Sequence, residues 1–208
     1  MRKRRAFLLS FEGIEGTGKS TQCRMLRRFL KNKGLRLAIF REPGSSLVGE
    51  RIRDVLLHER EKLTDLCEML LFISARCQLA EELIRPMLYE KDIIILDRYL
   101  DATLAYQGYG AGIDIRLIKQ LNKLAVKDLV PDLTILLDLC SEIGLERSGR
   151  NDRFEKRKIS FHNRVRNGYL TLAKQNKKRI KVVSSALDIS TVQNRIRKIV
   201  CHALKARD

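Results

Sequence analysis

The chain has 208 residues with 44% apolar content, enough for a buried core and ordinary for a globular protein. Its formal charge of +17 is not ordinary, and it admits anionic nucleotide substrates, nucleic acid or membrane surfaces, or a merely solvated Lys/Arg surface. Five cysteines without C-x-x-C spacing and three histidines without metal-ligand spacing argue against a disulfide framework and a structural zinc site.

The charged start, Arg2-Lys3-Arg4-Arg5, resembles that of a signal peptide. The apolar run behind it ends at Glu12, and no small-residue cleavage site follows. No stretch approaches the roughly 18 apolar residues of a membrane span, so a soluble, cytoplasmic protein is expected. The first predicted strand, Ala6–Phe11, runs into GIEGTGKST. Gly13, Gly18, Lys19 and Ser20 fit G-x-x-x-x-G-K-[ST], a loop whose backbone N–H groups wrap nucleotide phosphates. The phosphate-binding residues are then Gly13, Ile14, Glu15, Gly16, Thr17, Gly18, Lys19, Ser20 and Thr21. Lys19 can reach the β- and γ-phosphates, and the Ser20 hydroxyl can sit on Mg²⁺. The predicted helix Lys19–Leu30 points its positive end at the same anion.

A second strand is predicted at Leu35–Phe40, followed by the turn Arg41-Glu42-Pro43-Gly44, where Arg41 offers a phosphate fork. A long helix is predicted over Thr64–Leu88, capped at Thr64 or Asp65. Phe72 and Arg76 share a face of it. They can stack on and hydrogen-bond a base, or be a core Phe beside a surface Arg, the simpler reading on spacing alone. The third strand, Asp92–Leu96, is apolar enough to be buried on both faces, and Asp97 follows at its carboxyl end. Asp97 is a candidate Mg²⁺ partner opposite Ser20, and Arg98 can grip a phosphate bidentately. The glycines of Ala105–Gly112 predict a loop from which Tyr106 and Gln107 can close over a ligand.

Helical spacing returns over Arg116–Val126, and the fourth strand, Leu133–Leu137, is opened by Pro131. A polar stretch from about Glu142 to Glu155 reads as a small lid carrying Arg147, Arg150 and Arg153, arginines suited to neutralising a transferring phosphoryl group. Then come a helix over Phe154–Gln175, a strand at Ile180–Val183 and a last helix from Ser190, with Gln193 completing a capping box. Alternating strands and helices predict an α/β fold with a five-stranded parallel sheet, one domain over residues 1–208. The residues alone reach a P-loop phosphotransferase acting on a nucleotide.

FEGIEGTGKSTQ, REPGSS with GERIR behind it, MLLFISARCQLAEELI, LDRYLDATLAYQG, PDLTILLDL and GLERSGRNDRFE stand in order from about Phe7 to Val183. In these strings the chain resembles the thymidylate kinase family. The resemblance implies a P-loop NTPase fold and transfer of the ATP γ-phosphate, with Mg²⁺, to dTMP. It implies that Glu15 meets the sugar 3′-hydroxyl or its water and Mg²⁺ surroundings, and that Arg98 holds the acceptor phosphate with Arg41 and Pro43 nearby. Phe72 would stack on thymine, Arg76 would hydrogen-bond a base carbonyl, and Thr103 and Gln107 would line the base site. Tyr106 would disfavour ribose.

Family members with glycine where Gly16 stands take their catalytic arginine from the lid, so the resemblance points to Arg147, Arg150 or Arg153, beside Lys19, Asp97 and Arg98. It also implies a homodimer. Ser45, Ala102 and Ala111 depart from the family's frequent Gly, Ser and Arg, which bears on how tightly dTMP binds. Two rivals stay open. One is another P-loop nucleoside or nucleoside monophosphate kinase, and the other is a P-loop ATPase that binds nucleic acid.

Overall fold

The computed structural model describes residues 5–58, 62–149 and 153–207. Five parallel strands form one sheet in the order β2-β3-β1-β4-β5. They are β1 (Phe7–Glu12), β2 (Leu37–Arg41), β3 (Ile93–Asp97), β4 (Leu133–Asp138) and β5 (Ile180–Ser184), each within two residues of its predicted place. The helices are α1 (Lys19–Lys31), α2 (Leu47–His58), α3 (Asp65–Leu79), α4 (Arg85–Met87), α5 (Leu100–Thr103), α6 (Ile115–Val126), α7 (Ser141–Ser148), α8 (Ile159–Gln175) and α9 (Ile189–Lys205).

β1 is buried at every position, and its period-two alternation feeds two cores. Phe7, Leu9 and Phe11 pack with Leu26 and Leu30 of α1 and with Val192, Ile196 and Val200 of α9. Leu8 faces the other way, in a core with Met69 and Ile73 of α3, Ile118 of α6 and Val165 and Tyr169 of α8. Helices thus cover both faces, as a parallel sheet requires. The register puts Phe11 and Arg41 level with Asp97, so the ends of β1, β2 and β3 share one rim. The central strand lies between β3 and β4 there, the place where open α/β sheets bind ligands.

Several expectations are corrected. Arg41 closes β2 rather than following it; β4 starts at Leu133 as expected, with Pro131 two residues ahead of the strand rather than its first residue. α2 was not predicted; it buries only Gly49 and Leu56, too few to leave an apolar period. The Thr64 cap is as expected, its side chain accepting from the Cys67 amide, but α3 ends at Leu79. A π-helical turn, Ala80–Ile84, carries the chain into α4. The helix predicted from Phe154 begins at Ile159, and α9 is capped by Asp188, which accepts from the Thr191 amide at 2.9 Å. Gln193 closes no capping box and is buried against α1. The first half of the predicted lid is helix α7.

The glycine-rich stretch is not a loop. After α5 it continues as a π-helical turn, Leu104–Gly110. Its glycines allow close approach: a Cβ on Gly110 would stand 2.8 Å from Phe161 and Val165 of α8. Gly168 of α8 is tight in the reverse direction, against Tyr109. Gly110→Ala is therefore expected to lower the unfolding free energy by about 1–3 kcal/mol, overpacking outweighing the helix gain of losing a glycine. Urea denaturation measures it.

Candidate active site

The P-loop joins β1 to α1. Gly13 and Gly16 have φ of +140° and +67°, and side chains there would strike the Leu137 and Gly144 carbonyl oxygens. α1 has Gly18 as its N-cap, with no side-chain cap and no acidic residue in the first turn. Its first amides are thus left for an anion. Lys19 Nζ folds into the loop, donating to the carbonyls of Gly13 at 3.0 Å and Ile14 at 2.6 Å and to Thr17 Oγ1 at 3.2 Å. Burial, with Arg98 beside it, pushes its ammonium down to about 8. Ser20 Oγ donates to Asp97 Oδ2 at 2.5 Å, bringing the two predicted Mg²⁺ partners together.

Arg98 follows Asp97 with a left-handed φ of 69°. Its guanidinium donates to the Gly13 carbonyl at 3.0 Å and to Glu15 Oε1 at 3.1 Å, and it meets the Tyr106 and Tyr169 hydroxyls at 3.2 and 3.3 Å. Tyr106 Oη donates to the same Glu15 oxygen at 2.5 Å. Burial alone would raise the Glu15 carboxyl; His162, Arg98, Lys19 and Tyr106 outweigh it and hold it well below the usual range. Beneath them Glu12 accepts from the Tyr99 amide and the Tyr169 hydroxyl, yet burial and nearby Asp101 push it up to about 7.

The rim encloses a cleft of about 500 Å³. Glu15, Gly16, Gly18, Lys19, Ser20 and Thr21 line its phosphate side. Arg41, Pro43, Phe72, Asp97, Arg98, Thr103, Tyr106 and Gln107 line the remainder, with Arg147 at the edge. Gly13 and Ile14 are buried within the loop, where the Ile14 carbonyl also accepts from Thr17 Oγ1. Arg41 is held by Glu50 at 2.8 Å, a partner the sequence did not suggest.

Arg76 corrects the simpler reading of its helix face. It is no surface residue: it is 0% exposed, paired with Glu42, and donates to Asn122, the Tyr99 carbonyl and Thr103 Oγ1. Burial raises the Glu42 carboxyl, and Arg76 opposes that rise.

The predicted lid arginines separate. Arg147 lines the cleft and donates to the Ser185 carbonyl at 3.0 Å. It also borders a second recess of about 360 Å³, walled by Thr21, Gln22, Leu187 and Ile189. Arg153 turns away, to the Leu56 carbonyl and to Glu68. Arg150 lies outside the described residues.

Sequence reasoning missed buried Glu68, which also accepts from Arg157 at 2.8 Å and from Gln107 at 3.0 Å. It missed Tyr169 and Phe154 as well; the Phe154 ring sits 5.7 Å from Phe72. No local motif marks these residues, whose partners are mostly distant in sequence.

The description "Thymidylate kinase" belongs to a family model that matches residues 11–196. A thymidylate kinase of Syntrophotalea carbinolica is 44% identical over 96% of this chain and 97% of its own length. One from Kosmotoga olearia is 38% identical over 95% and 96%. The crystal structure of thymidylate kinase from Ehrlichia chaffeensis superposes with a TM-score of 0.79 at 35% identity, covering 94% of this chain and 98% of that one. The P-loop, the Ser20–Asp97 pair and the sheet order lie inside that shared extent, and the chain belongs to the thymidylate kinase family, nucleoside monophosphate kinases with the P-loop NTPase fold.

Proposed function

We infer that the cleft transfers the γ-phosphoryl group of ATP to dTMP, giving dTDP and ADP, with the residue roles that follow. The observation that carries this is the rim itself: an uncapped helix start and Lys19 on one side, and on the other a pocket of Phe72, Thr103 and Gln107 large enough for a base. ATP phosphates lie on the loop amides, and Lys19 leaves its carbonyl partners for the β- and γ-phosphates. The recess beside Arg147 receives the adenine end. Arg98 and Arg41 hold the acceptor phosphate, and Phe72 stacks on thymine.

Arg76 fixes the pocket floor from beneath, by donating to Thr103 Oγ1. Tyr106, gripped by Glu15 and Arg98, crowds the sugar edge where a ribose hydroxyl would point.

The donor chemistry fits Mg²⁺. Ser20 and Asp97 offer hard oxygens in contact, and Mg²⁺ is commonly held by one or two such groups together with substrate phosphates. Among the described residues no three His, Cys, Asp or Glu side chains gather into a cage of their own. When bound, the ion offsets charge on the phosphate oxygens. The protein's part is positioning and charge neutralisation; an ionised acceptor phosphate needs no general base. Of the two described lid arginines Arg147 is the one that lines the cleft, and it supplies the cation for the transferring group, with Arg150 an alternative outside the described residues. The lid, residues 142–155 of a single domain spanning 1–208, excludes water when closed.

Exposed apolar side chains on neighbouring helices, Leu47 and Val55, Leu66 and Leu70, Leu117 and Leu124, support a homodimer. Among the described residues no helix is long and apolar enough to cross a membrane, and the cytoplasm is the proposed location.

ADP release with ATP and Mg²⁺ is expected to depend on dTMP, and chromatography to find dTDP. Equal turnover with dUMP or dGMP would move the acceptor assignment. No turnover with any acceptor, from folded protein that binds ATP, would overturn the kinase reading.

A further inference from the structure

His162 belongs to no motif in the sequence, and its ring is fully buried on α8. Its Nδ1 stands 3.6 Å from Glu15 Oε2. That is too long for a hydrogen bond and close enough for one to form with a small rotation. Neither ring nitrogen has a hydrogen-bond partner among the described residues, and nor does Glu15 Oε2. An unmade bond is costly for buried groups, so a donor facing an acceptor here calls for an account.

The other carboxylate oxygen of Glu15 is already taken, by the Tyr106 hydroxyl and the Arg98 guanidinium. Those contacts pin one corner of the carboxylate. The last torsion of a glutamate is broad, so one pinned corner leaves the carboxylate plane undetermined. His162 supplies the second corner. Its ring is held edge-on to Phe161, with centroids 5.6 Å apart. Glu15 Oε2 can only accept, so Nδ1 carries the proton in this contact.

We propose that His162 is a positioning residue for the acceptor nucleotide: through Nδ1 it sets the plane of the Glu15 carboxylate, and so how the P-loop reads the 3′-hydroxyl of the acceptor sugar. His162 touches no reacting atom. The inference rests on the reading in which Glu15 meets that hydroxyl.

The test compares wild type, H162N and H162Q on dTMP and on 3′-deoxythymidine monophosphate. Asparagine can place an N–H where Nδ1 stands; glutamine reaches past it, toward Nε2. H162Q is expected to raise KM for dTMP about tenfold while KM for ATP stays within about twofold, the loss expected of one charge-assisted hydrogen bond. H162Q should also lose most of the preference for dTMP over the 3′-deoxy acceptor, and H162N should keep it. Thermal melts accompany both variants, and H162F, which fills the site without a donor, repeats the H162Q result.

A wild-type preference retained by both H162Q and H162F overturns the role of His162 and leaves Glu15 in place. A loss of kcat, both KM values and melting temperature together, in H162N as in H162Q, overturns it as a packing effect. A wild type that does not distinguish the two acceptors overturns the Glu15 reading, and the role of His162 with it.

Discussion

Lys19→Ala is expected to cut dTMP-dependent ADP formation by roughly 100- to 1,000-fold, the usual loss when one preorganised donor to a developing charge is removed. The melting temperature should be unchanged or higher. The second half of that expectation comes from the resting geometry. Lys19 is buried, and Arg98 adds like-charge repulsion to its desolvation. Its three hydrogen bonds end on two carbonyls and a hydroxyl of the same loop, not on a carboxylate. Deleting a buried charge so held costs little stability. A coupled ADP assay and a thermal melt on one preparation give both numbers. Retention of more than about a tenth of the activity would sink the P-loop assignment.

Arg76→Met should fail differently, in stability and binding together. Glu42 would stay buried without its cation, with Oε2 already lacking a hydrogen-bond partner. Removing one member of a buried pair typically costs about 3–5 kcal/mol. The sign with pH follows from Glu42. Unpaired, its folded pKa lies above the unfolded value, so the neutral acid is the form the fold tolerates. The penalty is therefore largest at neutral pH and shrinks as pH falls through that folded pKa. Adding Glu42→Leu should restore most of the stability, because no charge is left to desolvate. It should not restore dTMP affinity, because Thr103 still lacks its donor. Urea curves at pH 5 and 7, with KM for dTMP, separate the effects. A doubly substituted protein as unstable as Arg76→Met would show that the pair is not the source of the loss.

The parts legible in the sequence were those whose chemistry is local. The P-loop sits in nine consecutive residues, and β3 announces itself by four apolar residues before Asp97. The fate of Arg76 was not legible on spacing, because its partners Glu42 and Asn122 are 34 and 46 positions away. Arg153 reads as a lid arginine for a phosphoryl group for the same reason: Glu68, 85 positions back, takes it only in the fold. The Gly108 and Gly110 region misled because glycine marks a turn and a tight helix contact equally well. Only α8 and α6, brought close by the fold, decide between them. His58 and His202 carry no chemistry in the site, and His162 gained meaning only from the fold that set it against Glu15.

The two glycines that meet where the P-loop touches α7 also limit what mutation can reach. A Cβ on Gly16 would lie 1.9 Å from the Gly144 carbonyl oxygen, and one on Gly144 would lie 2.6 Å from the carbonyl oxygen of Glu15. The collision is between backbones, so no choice of rotamer relieves it. Any side chain at position 16 therefore requires α7 to shift away from the loop. Laboratory evolution selecting for a lid-independent kinase from this chain would have to recover a displacement of α7 before, or together with, any side chain at position 16.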